Sequence, residues 1–82
     1  MTVTMELSLY PLNKDYPDSV LGFLKKLKAI PSISVETNGM STLITGEMSF
    51  LWTQIGDLVR EQFEKEDCIF VMKIAPGRRE YV

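Results

Sequence analysis

The chain has 82 residues, which fits a single domain over 1–82 and leaves no room for two. Its 9 Lys and Arg stand against 11 Asp and Glu, for a net charge of −2, and no basic cluster offers the footprint that nucleic acid requires. There is no histidine and one cysteine, Cys68, so Ser-His-Asp catalysis and an intramolecular disulfide are both excluded.

Residues 2–10, "TVTMELSLY", alternate with period two. Val3, Met5, Leu7 and Leu9 share one face, and Thr4, Glu6, Ser8 and Tyr10 the other, the pattern of a half-covered strand. Pro11 lacks a backbone donor and is expected to end it. In "NKDYPDSVLGFLKKLKAI", Pro17 suits a first helical turn, and Asp15 or Asp18 suits the positive end of the helix dipole. Val20, Phe23, Leu24, Leu27 and Ile30 recur at helical spacing, Lys25, Lys26 and Lys28 point away, and Pro31 is a stop.

Residues 32–38 alternate again and run into Asn38-Gly39, the strongest short hairpin signal in the chain. A two-residue type I′ loop there would set Thr37 opposite Met40, Val35 opposite Thr42 and Ile33 opposite Ile44. One face would then carry Ile33, Val35, Thr37, Met40, Thr42 and Ile44, and the other Ser34, Glu36, Ser41 and Leu43. After Gly46-Glu47, Ser49 is the expected cap of a second helix, "FLWTQIGDLVREQFEK". Leu51, Trp52, Ile55, Leu58, Val59 and Phe63 form its apolar stripe, which places Trp52 in the core. The last strand, "CIFVMKIA", sets Phe70, Met72 and Ile74 on one side and Ile69, Val71 and Lys73 on the other. Pro76-Gly77 ends it, and "RREYV" reads as a solvated tail or docking arm.

Strand, helix, strand, strand, helix, strand with right-handed crossovers defines an α+β, ferredoxin-like βαββαβ domain: a four-stranded antiparallel sheet with both helices on one face. The helix-facing core collects Met5, Leu7, Leu9, Ile33, Val35, Ile44, Phe70, Met72 and Ile74. Two features remain. Tyr10, Leu43, Ile69 and Val71 fall on the open face, an apolar strip suited to a second copy of the chain packed sheet against sheet. Thr42 points inward among apolar neighbours, where its hydroxyl must find either a local partner or a small polar pocket.

The segments "MELSLYPL", "NGMSTLITGE" and "VMKI" resemble the thiamine-binding, YkoF-like family over nearly the whole chain. The resemblance implies a ferredoxin-like binding protein, with thiamine or its hydroxymethylpyrimidine half as ligand, no cofactor, and no chemistry performed. It carries over onto Glu6, Ser8, Tyr10 and Pro11, onto Asn38, Gly39, Ser41, Thr42, Gly46 and Glu47, and onto Lys73. The ligand-binding set it implies is Glu6, Ser8, Tyr10, Asn38, Ser41, Thr42 and Lys73.

An aminopyrimidine needs an aromatic wall and two or three convergent polar groups. Tyr10 or Trp52 can stack on the ring, the Thr42, Ser41 and Asn38 side chains can donate or accept, and the Glu6 carboxylate can take the amino group. Simpler roles stand beside these. Glu6 and Lys73 are placed to form a cross-strand ion pair, Asn38 is explained by the turn, Glu47 by the helix start, and Tyr10 by the apolar strip. The alternative to a vitamin binder is an ACT-like oligomerisation domain that binds a different small ligand or none. No apolar run approaches the ~18 residues of a membrane span, and the N-terminus lacks a basic start and cleavage site, so no membrane partner and a cytoplasmic location are expected.

Overall fold

A computed structural model describes residues 1–12 and 16–79. Its elements are β1 (Thr2–Pro11), α1 (Tyr16–Lys28), β2 (Ser34–Thr37), β3 (Thr42–Glu47), α2 (Met48–Lys65) and β4 (Cys68–Pro76). The four strands form one sheet in the order β2-β3-β1-β4, and every pairing is antiparallel. This is the βαββαβ arrangement read from the alternation of periods two and 3.6. Asn13, Lys14 and Asp15 lie outside the described residues, as do Glu80, Tyr81 and Val82 of the expected tail.

Strand parity decides the core. Val3, Met5 and Leu7 from β1 meet Ile44 from β3, Phe23 and Leu27 from α1, and Leu51 and Ile55 from α2, all buried. Leu9, Ile33, Val35, Phe70 and Met72 pack around that centre as partly buried neighbours. Fully burying such side chains is worth about 1.5–3 kcal/mol each, so the helix-facing side of the sheet carries most of the folding energy. Ile74 shares that face but stands on the edge strand and remains 42% exposed, outside the core expected for it.

The hairpin departs from the two-residue loop. Thr37 pairs with Thr42 and Val35 with Ile44, so Asn38, Gly39, Met40 and Ser41 all belong to the connection. Neither Asn38 nor Gly39 has the positive φ that a type I′ turn demands; among the described residues only Ser32 and Gly77 do. The Asn38 side chain closes the loop instead, its Oδ1 accepting the Met40 N–H at 2.7 Å and the Ser41 N–H at 3.1 Å. The register is displaced by two residues from the expected one, and a displacement of two returns every side chain to the same face. Thr42 is therefore buried on the helix side, as parity required.

Other boundaries move for local reasons. Pro11 remains in β1, opposite Cys68 at the end of the β1–β4 ladder, because a terminal residue there needs no donor. Glu47, not Ser49, caps α2: its Oε2 accepts the Phe50 N–H at 2.9 Å. Those backbone hydrogen bonds, Phe50 first and then Ser49, hold the Glu47 carboxyl below the usual carboxylate range. Trp52 lies beside the buried stripe and is 46% exposed, so it is not a core residue. Phe63 is exposed too, though its ring meets Phe70 edge-on at 5.7 Å. The stripe position that Phe63 was expected to fill belongs to Gln62, which is buried with its amide bonded to Glu66.

Candidate functional site

The β1–β3 ladder stops at Leu7↔Thr42, while β1 continues through Ser8, Leu9, Tyr10 and Pro11 with only β4 beside it. On the other side the hairpin loop turns away. A notch opens between the end of β1, the first half of α1 and the loop, and it forms a cleft of about 260 Å³. Leu7, Leu9, Val20, Phe23 and Leu24 make its apolar walls, and Thr37 and Thr42 its polar end. Ser8, Tyr10 and the loop residues Asn38–Ser41 also line it. No charged side chain is among these residues.

Two hydroxyls mark the polar end. Thr37 and Thr42 are opposite each other in the β2–β3 ladder, with Oγ1 atoms 2.9 Å apart. The Thr37 hydroxyl also lies 3.5 Å from the Ser41 carbonyl, to which it can donate. If Thr37 donates to Ser41, Thr42 donates to Thr37 and keeps lone pairs for an incoming N–H. If Thr37 donates to Thr42, the Thr42 O–H is available for an incoming acceptor. The pair can therefore present either polarity by rotating two O–H bonds.

Phe23 supplies the fixed aromatic wall. It is buried, and its ring packs on Phe70 at 5.1 Å with a 56° tilt, an arrangement that holds its orientation from behind. Tyr10, 51% exposed, stands at the mouth.

Of the seven residues expected to touch a ligand, the cleft brings together Ser8, Tyr10, Asn38, Ser41 and Thr42. Glu6 and Lys73 lie outside it. They are direct cross-strand partners on the open face, with Nζ and Oε1 3.7 Å apart. Glu6 still reaches the rim, since the Ser41 hydroxyl donates to its Oε2 at 3.4 Å. Trp52 is on α2 and takes no part in the cleft. The sequence pattern does not mark Phe23, Thr37, Val20 and Leu24 as lining residues. Thr37 was on the correct face, but the expected register set it against Met40, which hid the paired hydroxyls.

On the open face, Tyr10, Ile69 and Val71 are each about half exposed and adjacent through the β1–β4 ladder. Leu43 lies across β1, opposite Glu6, and is half-buried. Burial, followed by the nearby Glu66 and Asp67 carboxylates, pushes the Cys68 thiol up and away from reactivity. Among the described residues no helix is long and apolar enough to cross a membrane.

Neither a protein-family profile nor a curated protein sequence matches the chain. Solved structures do. A proposed thiamine biosynthesis/salvage protein from Thermotoga maritima superposes with a TM-score of 0.84 at 14% identity, over 94% of this chain and 85% of its own. A Streptococcus pneumoniae protein gives 0.85 at 16% identity, over 95% and 89%. A domain of unknown function from Bacillus cereus gives 0.77 at 21%, over 94% and 77%. At such identities the likeness establishes a shared fold, and function must be argued from the site.

Proposed function

We propose that the chain is a non-catalytic binder of a small aminopyrimidine, hydroxymethylpyrimidine or the pyrimidine half of thiamine, held in the cleft beneath α1. The observation that carries this reading is the Thr37–Thr42 hydroxyl pair at the end of an apolar cleft walled by Phe23. A flat ring with an amino donor and ring-nitrogen acceptors needs a pair of groups that can each take either role, set beside an aromatic face. The Asn38 amide supplies a further polar contact at the mouth, while the Ser8 and Tyr10 side chains, which point to the open face, would reach the ring only around the free edge of β1.

Size and charge favour the pyrimidine as the enclosed part. The cleft, about 260 Å³, is below the ~300–1,000 Å³ usual for small-molecule sites. Its uncharged lining suits a neutral ring. The thiazolium of thiamine would extend past the rim, on the side where Ser41 meets the Glu6 carboxylate. The resemblance of "MELSLYPL" and "NGMSTLITGE" to thiamine-binding domains, and the fold shared with the Thermotoga maritima protein, support the same ligand class. Carriage, sensing and salvage are all served by binding without chemistry, and a cytoplasmic setting suits each.

The test is calorimetric titration with hydroxymethylpyrimidine and with thiamine. Saturable binding of either, weakened about tenfold or more in Thr42→Val while circular dichroism is unchanged, supports the reading; no heat and no thermal shift with millimolar ligand refutes it. A ligand at 100 times its dissociation constant adds about 2.7 kcal/mol to stability, well within detection.

The half-exposed Tyr10, Ile69 and Val71 favour a second reading, an ACT-like assembly domain whose open sheet face meets another copy. That reading predicts an oligomer that Leu43→Lys disperses, with no response to either pyrimidine compound.

A further inference from the structure

The cleft and its rim differ in charge. Among the described residues, every side chain that lines the cleft is uncharged. Helix α1 contributes Val20, Phe23 and Leu24, whereas Lys25, Lys26 and Lys28 stand in its last turn, outside the cleft. Its first turn carries Asp18, whose charge offsets the positive end of the helix dipole. At the rim stands a carboxylate. Glu6 Oε1 lies 3.7 Å from the Lys73 ammonium on β4, and Oε2 accepts the Ser41 hydroxyl of the loop at 3.4 Å. Because β1 runs between β3 and β4, Glu6 separates Lys73 from the loop. Glu36 adds a second carboxylate on the same face, across Leu43.

We infer that the cleft takes its pyrimidine as the free alcohol and rejects the phosphate ester of that alcohol, with Glu6 the rim residue that sharpens the distinction. This rests on the pyrimidine reading above. In hydroxymethylpyrimidine the hydroxymethyl arm is attached to the ring carbon next to the one that bears the amino group. With the amino group at the Thr37–Thr42 pair, the arm leaves the ring beside that pair, where Asn38 and Ser41 line the cleft. An alcohol there can exchange hydrogen bonds with the Ser41 hydroxyl or the Asn38 amide.

A phosphate ester in the same place carries a charge of about −1.5 to −2 at neutral pH. Among the described lining residues none is cationic. A charge taken from water without a partner is costly, and a carboxylate nearby in a partly dehydrated setting adds repulsion. The Ser41 hydroxyl gives no relief, since it donates to Glu6. Turning that O–H to a phosphate oxygen would leave the Glu6 carboxylate beside a like charge with its donor lost. The same geometry grades the effect. Thiamine carries its own hydroxyl on the thiazolium side, a ring further from the pyrimidine. Its phosphate ester would stand in solvent past the rim, where screening weakens the repulsion.

The test is calorimetric titration of the intact chain with hydroxymethylpyrimidine and its phosphate ester, beside thiamine and thiamine monophosphate. The dissociation constant of the pyrimidine ester should exceed that of the alcohol by about tenfold or more, and the thiamine pair should differ by less. In Glu6→Gln, which keeps the size of the side chain and removes its charge, the ratio for the pyrimidine pair should fall by about threefold or more. Added salt should narrow the ratio in the unsubstituted chain in the same direction. A pyrimidine ester that binds as tightly as the alcohol, or more tightly, overturns the inference while leaving the pyrimidine reading in place. A ratio that neither Glu6→Gln nor salt alters overturns the role of Glu6. Silence with all four compounds refutes the pyrimidine reading itself, and this inference falls with it.

Discussion

Thr37 and Thr42 face each other across the hairpin, Oγ1 to Oγ1 at 2.9 Å, with Thr42 buried and Thr37 exposed. The inner hydroxyl is satisfied by the outer one, and the outer one by the Ser41 carbonyl. A polar group is thus carried to the end of an apolar cleft, and among the described residues no buried side-chain oxygen or nitrogen is left unpaired.

From this arrangement Thr42→Val follows as a near-silent change in stability. Valine keeps the volume, and Thr37 retains Ser41 as its acceptor, so the cost should stay within about 1 kcal/mol. Pyrimidine binding should fall about tenfold or more, consistent with losing one well-placed hydrogen bond. Urea denaturation and calorimetry on the same sample separate the two effects.

Glycines in three places should respond with opposite signs. A Cβ on Gly46 would stand 3.0 Å from Ile33 Cγ2 and 3.5 Å from Leu51, and the branched Ile33 has little rotamer freedom to yield. Gly46→Ala should therefore destabilise by about 1–3 kcal/mol. Gly22 and Gly56 are helical, with nothing within 4 Å of the added carbon, so Gly22→Ala and Gly56→Ala should each stabilise by about 0.5–1 kcal/mol. Denaturant midpoints of the three variants check the pattern.

The Glu47 cap predicts a pH dependence. Its carboxyl is depressed by the Phe50 and Ser49 amides, so its contribution is fully present above the unfolded-state value and disappears as pH falls through the folded one. Glu47→Ala should lower the melting temperature at neutral pH, and the gap between variant and parent should close as the solution is acidified through the depressed carboxyl value. A gap that is constant with pH would mean the side chain acts by packing rather than as a charged cap.

The Glu6–Lys73 pair, with the lysine side chain 79% exposed, should matter little to the isolated fold. Lys73→Ala is expected to shift stability by a few tenths of a kcal/mol, and salt should erase the difference. Thermal melts at low and high ionic strength measure it.

What the residue pattern reveals about this fold follows from how each signal is built. Period-two alternation in β1 and β4 survives any uncertainty about loops, so the faces of Met5, Leu7, Phe70 and Val71 were legible. The hairpin shows why the faces of Thr42 and Ile44 were legible even though their partners were not. The Asn38-Gly39 pair invites a two-residue turn, but an asparagine amide that captures the next backbone N–H groups can close a longer loop, and nothing in the sequence separates the two. Because the displacement is even, Thr42 stayed inward while its true partner, Thr37, went unseen. Helix α2 fails differently: Gln62 occupies a buried stripe position that hydropathy assigns to Phe63, because Glu66 satisfies the Gln62 amide. The cleft walls on α1 were not legible as a site, since Val20, Phe23 and Leu24 carry the same helical spacing whether they meet a core or a ligand.

The binding account is tested most directly by amide chemical-shift mapping as hydroxymethylpyrimidine is added to isotopically labelled protein. Saturable shifts concentrated at Ser8–Tyr10, Phe23 and Thr37–Thr42, and saturating only at about tenfold or more higher ligand in Thr42→Val, are the predicted result. Shifts that map to the β4 edge or the open sheet face, or none at all, would contradict it.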